Sequence, residues 1–419
     1  MAELKRQLSL GEAIVFAFAS IVGGGILFLP SLVYSIAGSD LMIVWGVSAG
    51  LAFPLLVIMS DIVKRVPDGS GIEGFISVGL GDFAALAVPP LLLAIIFFGG
   101  AGQAVMVGRF MQLVFGGDDL VVYGTAFGIA FFCLIVPAIG LTVGKRIQQA
   151  ITWFTVIFAV AVLVFAYPKA QEVGFDSIIP EANAIQPILY GVIAAFFAYV
   201  GLENMTFIAG ELKNPERDFF LAALVAFVVY TGLLLSLSAV FGALSGTLGI
   251  SEPTAGIVGL SLVIDARLAK LCAVFAFLAV QTNVTGWVWG LSRMVFKASE
   301  TRKMPRYFSH LAKDDVPRRA VFLTGGLPIA GIPVLMLRPE WMVHFLVYVG
   351  GIGGVLYLLA LSSYVLVGTR KFLRVLSLVV FLLISVNLSG LGLQLLVPLV
   401  IALIAYALGY LRGFHKDSE

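Results

Sequence analysis

Three consecutive glycines interrupt the first apolar segment of the chain, in the stretch IVGGGILFLP from Ile21 to Pro30. Gly23, Gly24 and Gly25 lie where a membrane helix would be deepest, and glycine best tolerates unwound backbone. Unwinding frees amide and carbonyl groups, which lipid tolerates only where they line a cavity or bind a ligand. The stretch therefore predicts a ligand site near the bilayer midplane. The alternative is that the glycines only let helices pack closely.

A second interruption, FFAYVGLE from Phe196 to Glu203, lies in the middle of the sixth apolar segment. A carboxylate at this depth costs several kcal/mol, so an intramembrane Glu203 indicates a function. We expect Glu203 to exchange a coupling proton between two states of the protein. The alternative is a protonated or hydrogen-bonded carboxyl group that only holds the unwound segment in shape.

The elements that must position these groups are membrane helices. Hydrophobic residues make up 60% of the 419 residues, a share typical of an all-α integral membrane protein. Since a span needs about 20 residues, the apolar runs fit about twelve helices. The predicted spans are 12–37, 40–63, 84–115, 121–139, 147–167, 186–211, 219–245, 265–298, 319–337, 341–367, 371–388 and 391–411.

The charges predict the orientation of these spans. Most of the 26 lysines and arginines fall in alternate loops, which places both termini in the cytoplasm. A net charge of +2 does not indicate a nucleic-acid-binding surface, so the expected partners are a small molecule and membrane lipid. Arg109 falls outside the basic loops, and we expect it to reach outward from the third span or to pair with Asp118 or Asp119.

The two interruptions lie five spans apart, each in the first helix of one half of the chain. Such paired breaks are the best sequence indication of an inverted-repeat transporter. We expect one transmembrane domain, with a first repeat at 12–167, a second repeat at 186–367 and two further helices within 371–411. The chain has three histidines, no H-E-x-x-H and no P-loop, so we expect neither an enzyme nor an ATP-driven pump.

Several of these stretches resemble a known family. GGGILFLP at Gly23 to Pro30, VPDGSGIEGF at Val66 to Phe75, and FFAYVGLENMTFIAGELKNPERD at Phe196 to Asp218 are similar to motifs of the amino acid–polyamine–organocation superfamily. GLE followed by KNPERDF most resembles the branch of bacterial exporters of methionine and branched-chain amino acids. The resemblance implies a LeuT-type 5+5 inverted repeat with discontinuous helices 1 and 6, and amino acid transport by alternating access across a prokaryotic cytoplasmic membrane.

The resemblance also implies a substrate site. The amides of the three glycines, at the positive end of a half-helix, suit a carboxylate. Carbonyl groups suit an ammonium, and Phe197 and Tyr199 would form an aromatic wall. Gln103, beside Gly99 and Gly100 in the third span, could face the cavity. The carbonyl groups concerned belong to Ile21, Val22, Phe197, Ala198 and Val200.

Glu203 is the single obvious charge at this expected site, which favours a neutral apolar amino acid such as methionine, leucine, isoleucine or valine. We expect proton-linked efflux or exchange with no cofactor and no metal. Sodium is the alternative coupling ion, with oxygen ligands from Thr282 and Asn283. Hydroxyls in membrane helices also bond to the carbonyl four residues earlier, which would leave no such site. An importer of the same fold and a non-transporting amino acid sensor remain open alternatives.

Overall fold

The structure is a computed structural model that describes residues 8–22, 24–65, 71–140, 145–182, 184–207, 209, 212–248, 255–312 and 316–411. Its helices are α1 (Leu10–Val22), α2 (Gly25–Ala37), α3 (Leu41–Arg65), α4 (Gly71–Leu80), α5 (Asp82–Ala85), α6 (Val88–Phe115), α7 (Asp119–Ala138), α8 (Lys145–Val173), α9 (Ile185–Phe196), α10 (Leu202–Phe207), α11 (Pro215–Leu248), α12 (Gly256–Ile264), α13 (Ala266–Glu300), α14 (Arg318–Leu337), α15 (Met342–Val367), α16 (Lys371–Leu388) and α17 (Leu396–Leu411).

Long apolar helices dominate these described residues. Nine helical segments among them are long and apolar enough to cross a membrane, and two shorter apolar helices lie at Gly71–Leu80 and Ile185–Tyr199. The prediction of an all-α membrane protein is therefore confirmed. The count of twelve spans stays a prediction. Helix breaks divide some of the predicted spans into shorter helices, and tight turns join other neighbouring helices into one long segment.

Both predicted interruptions are real breaks in helices. The first separates α1, which ends at Val22, from α2, which begins at Gly25. The second begins with a single 3-10 turn at Phe197–Tyr199 and ends where α10 starts at Leu202. Gly201 has a φ of 129°, which L side chains rarely adopt, so glycine is required at that point of the chain.

The helices pack in two groups around the first break. On one side α11 packs along α1, α2 and α3, and on the other side α6 packs along α7, α13 and α14. The chain on either side of the first break belongs to one group, and α6 belongs to the other. A side chain of α6 that bonds to the first break therefore connects the two groups of helices.

An ion-pair cluster fastens the short helix α4. Lys303 Nζ lies 2.8 Å from Glu73 Oε1 and 3.2 Å from Asp82 Oδ1. Burial opposes the charge of the Lys303 ammonium, but the two carboxylates outweigh it and raise the pKa of Lys303 above its ordinary value. Ser363 of α15 also donates to the carbonyl oxygen of Phe75 at 2.8 Å, so α4 is held against two different parts of the chain.

Two further contacts connect distant segments. The N–H of Gly256, at the start of α12, donates to Ser31 Oγ of α2 at 3.0 Å. Arg109 Nη1 lies 3.2 Å from Asp119 Oδ1, so of the expected partners the structure pairs it with Asp119. Both cysteines, Cys133 and Cys272, are buried free thiols, as their position inside apolar spans indicates.

Candidate functional site

A cavity opens at the first break, between the two groups of helices. The cavity encloses about 30 Å³, and the space free of protein atoms, which includes the open mouth, is about 400 Å³. Its lining comes from both sides of the first break and from α6, α13, α15 and the second break. The fourteen lining residues are Ile21, Gly24, Gly25, Ile95, Ile96, Gly99, Gly100, Gln103, Phe197, Val200, Asn283, Val284, Trp287 and Val349.

The backbone of the first break makes a hydrogen bond across the cavity wall. The N–H of Gly24 donates to Gln103 Oε1 at 3.0 Å. A Cβ atom on Gly24 would lie 2.1 Å from the same oxygen, so only glycine permits this approach. The first N–H groups of a helix have no partner within the helix and form an anion-binding end. The structure thus brings the predicted residues Gly24 and Gln103 to one cavity, although their mutual bond is not predictable from spacing.

Tyr230 of α11 contributes a polar group that the sequence did not single out. Its hydroxyl lies 2.5 Å from the position that a Cβ atom on Gly25 would take. The side chain is fully buried, and its hydroxyl has no hydrogen-bond partner among the described residues. Tyr230 stands in the apolar run AFVVYTGLLL, where one tyrosine carries no motif that would indicate its direction.

The remaining cavity walls are apolar. Phe197 packs edge-on against Phe28 of α2, with ring centroids 5.5 Å apart. Trp287 and Val349 add bulk from α13 and α15, and both were missed because large apolar residues are common throughout these helices. Among the described lining residues none is charged, and the polar side chains are Gln103 and Asn283.

Some predicted site residues lie elsewhere. Tyr199 does not line the cavity, because the 3-10 turn directs its hydroxyl to Thr231 Oγ1 of α11 at 3.1 Å and its ring to Phe227. Ala198 is fully buried within the same turn and is also absent from the lining. Val22 ends α1, and its side chain is not described. Gly23 lies outside the described residues.

Glu203 lies behind the cavity rather than in its lining. Its side chain is fully buried; Oε2 accepts the N–H of Gly201 at 3.0 Å and the hydroxyl of Tyr357 at 2.5 Å. The Tyr357 hydroxyl also lies 3.3 Å from the carbonyl oxygen of Tyr199. Glu203 Oε1 has no hydrogen-bond partner among the described residues. The carboxyl group therefore joins the second break to α15 and keeps one oxygen available.

Of the two residues considered as sodium ligands, Thr282 bonds to its own helix. Thr282 Oγ1 donates to the carbonyl oxygen of Leu278 at 2.8 Å, which is the bond to the carbonyl four residues earlier. Asn283 lines the cavity, whereas Thr282 is not among the lining residues. The structure thus brings one of the two predicted ligands to the cavity, and the sodium site stays a prediction.

Comparisons with known proteins agree with this architecture. The sequence profile of a family described as "Amino acid permease" matches residues 8–409. The chain is 24% identical over 370 residues to the L-methionine/branched-chain amino acid exporter YjeH of Escherichia coli (strain K12), covering 87% of this chain and 86% of that protein. It is 22% identical over 390 residues to the low-affinity methionine permease of Saccharomyces cerevisiae, covering 85% and 69% of the two chains.

A solved structure shares the fold. The crystal structure of MhsT in complex with L-phenylalanine superposes with a TM-score of 0.66 at 15% identity, and the match covers 92% of this chain and 99% of that one. The likeness extends over almost all of both chains.

Proposed function

We propose a specific transport reaction for this chain, which belongs to the amino acid permease family and is an amino acid transporter with the LeuT-type fold. The proposed substrates are neutral apolar L-amino acids such as methionine, leucine, isoleucine and valine. The proposed reaction is proton-linked efflux or exchange by alternating access, in a prokaryotic cytoplasmic membrane with both termini in the cytoplasm. The proposed inverted repeats are 12–167 and 186–367, and each contributes helices to both of the packing groups described above.

The observation that carries this proposal is the cavity at the first break. There the start of α2 faces the cavity, and the amides of a helix start favour a carboxylate. We assign the substrate carboxylate to the amides of Gly24 and Gly25, and the ammonium to carbonyl groups of Ile21, Phe197 and Val200. These backbone groups bind the part that all amino acids share.

The cavity walls support an apolar substrate side chain. Phe197, Trp287 and Val349 offer apolar surface, and no charged side chain lies among the described lining residues to pair with arginine or a dicarboxylic amino acid. Both curated relatives reported above carry methionine in their names. Methionine is therefore the first substrate to test.

Glu203 is the proposed site of proton coupling. It is a buried carboxyl group, one oxygen of which has no partner in the described part of the chain, and it contacts the second break through the N–H of Gly201. A proton on Oε1 would remove a charge that burial disfavours, and its release would have to accompany a rearrangement of the break. This contact supports a link between protonation and the shape of the substrate site.

The test is flux in proteoliposomes of the purified protein. Labelled methionine, leucine and arginine are supplied with a pH gradient, a sodium gradient or neither. We expect methionine and leucine flux that follows the pH gradient and ignores sodium, with little arginine flux. Flux driven by sodium would instead indicate coupling to a sodium ion bound by Thr282 and Asn283. Binding without flux would identify a sensor, and arginine flux equal to that of methionine would contradict the substrate assignment.

A further inference from the structure

The carboxamide of Gln103 occupies the place where an amino acid carboxylate would meet the first break. Its Oε1 accepts the N–H of Gly24 at 3.0 Å, and the side chain is only 6% exposed. An amide oxygen and a carboxylate oxygen are both acceptors for a backbone N–H. Gln103 thus makes, from within the protein, a bond that the proposed function assigns to the substrate.

Gln103 and a substrate carboxylate cannot use this N–H together. Gln103 Oε1 lies 2.1 Å, and its Cδ atom 2.9 Å, from the position that a Cβ atom on Gly24 would take, so the carboxamide covers that side of the residue. A bound carboxylate must displace it. Hydrogen bonds to an ionised acceptor are about twice as strong as neutral ones, so the carboxylate is favoured when present and the carboxamide returns when it leaves.

This hydrogen bond also connects the two groups of helices. Gly24 lies between α1 and α2, which pack on α11, whereas Gln103 belongs to α6, which packs on α7, α13 and α14. In alternating access one group of helices moves against the other around the site, and a bound substrate contacts both. The Gln103 contact supplies one such link without an amino acid.

We propose, building on the function proposed above, that the Gln103 carboxamide is an internal substitute for the substrate carboxylate. It lets the carrier close and reorient without a bound amino acid. A carrier with such a return step performs net transport as well as exchange, since the cycle is completed unloaded. The neutrality of glutamine is essential, because a carboxylate at this position would bury a charge and compete with the substrate more strongly.

The test compares two modes of transport in the variant Gln103→Met, which has a flexible side chain of similar length without the amide acceptor. Proteoliposomes loaded with labelled methionine are diluted into buffer without amino acid, which measures net efflux, or with unlabelled methionine, which measures exchange. We expect net efflux to fall about tenfold, the factor typical of one lost buried hydrogen bond. Exchange is retained, and its half-saturating methionine concentration falls because the internal competitor is gone.

Gln281→Met is the matched control. Gln281 is a buried glutamine of α13, 8% exposed, and it lies outside the cavity lining. Its replacement should leave the ratio of net efflux to exchange unchanged. If Gln103→Met is poorly folded by its melting temperature, Gln103→Asn takes its place, since its carboxamide is too short by one methylene to reach Gly24 unchanged.

The outcomes separate the inference from the proposed function. Equal loss of both modes with a higher half-saturating concentration would make Gln103 an ordinary substrate ligand and overturn the inference. Net efflux unchanged by the loss of the carboxamide would overturn it as well. In both cases the unaltered protein still transports methionine. If that protein shows neither mode, the proposed function itself fails.

Discussion

The two helix breaks of this molecule form the hydrogen bonds of their backbone N–H groups in different ways. At the first break, the N–H of Gly24 is bonded by a neutral side chain 79 residues away in another group of helices. At the second break, the N–H of Gly201 is bonded by the carboxyl group of Glu203, two residues away, and Tyr357 joins that carboxyl to α15. In the proposed function the first break has a bond that a ligand can replace, whereas the N–H of the second break is held by Glu203 of the same break, supported by Tyr357 of α15.

The largest effect should come from filling the first break. In Gly24→Leu the new side chain would collide with Gln103, since even its Cβ would lie 2.1 Å from Oε1. We expect methionine transport to be abolished, because the new side chain fills the space in front of the amide. Flux in proteoliposomes measures this. Gly46→Leu is the control, as a Cβ atom there meets nothing within 4 Å. Normal flux in Gly24→Leu would contradict the site.

The next effect concerns the carboxyl group of the second break. Glu203→Gln keeps the size of the side chain but cannot exchange a proton, so exchange should persist while its dependence on pH disappears. The measurement is methionine exchange across a series of pH values applied equally to both sides. Glu172→Gln, at an exposed position, is the control. A pH profile that keeps its shape in Glu203→Gln would place the coupling elsewhere.

A smaller effect is expected for Gly201→Ala, which should lower stability more than transport. Gly201→Ala forces an L side chain into a φ of 129°, at a cost of about 1–3 kcal/mol. We expect a lower melting temperature with the substrate affinity largely kept, the reverse of the pattern at Gly24. Gly232→Ala, in the middle of α11 with open space around it, provides the control. A loss of affinity without a loss of stability would show that the second break also exchanges its bonds with the ligand.

The smallest effect is expected for Tyr357→Phe. This change removes the hydroxyl that donates to Glu203 Oε2 and leaves the N–H of Gly201 as the remaining donor described for that oxygen. The free energy of unfolding should fall by about 1 kcal/mol, the typical net contribution of one hydrogen bond. Thermal or denaturant unfolding in detergent measures this, with Tyr307→Phe at an exposed ring for comparison. A stability equal to that of the parent would mean that the hydroxyl does not hold the break.

The positions of both breaks could be predicted from the sequence because unwinding inside lipid demands unusual residues. Consecutive glycines at Gly23 to Gly25 and an intramembrane carboxylate at Glu203 are rare enough in apolar helices to be conspicuous. Gln103 was predicted to face the cavity from the family resemblance, and the structure places it in the cavity lining. These signals depend only on which residues occur at these positions, so a single sequence is enough to detect them.

The direction of each side chain could not be predicted in the same way. Tyr199 was expected in the cavity wall, but one 3-10 turn rotates it toward Thr231. Tyr230 reaches the first break from α11, and Trp287 reaches the cavity from α13, because of how those helices pack. An all-round apolar helix gives no periodicity from which to predict which side faces the site. Helix rotation is fixed by packing between segments distant in sequence.

The bond between Ser31 and Gly256 has a practical consequence. Since a Cβ atom on Gly256 would lie only 2.0 Å from the carbonyl oxygen of Leu27, α12 packs directly on α2; it also packs on α13 of the other group, so movement of α2 against α13 should disturb it. Leu262 of α12 is 37% exposed, while both native thiols are buried. A fluorophore attached at Leu262→Cys would therefore report rearrangement of the first break as a change in emission, without removal of Cys133 or Cys272.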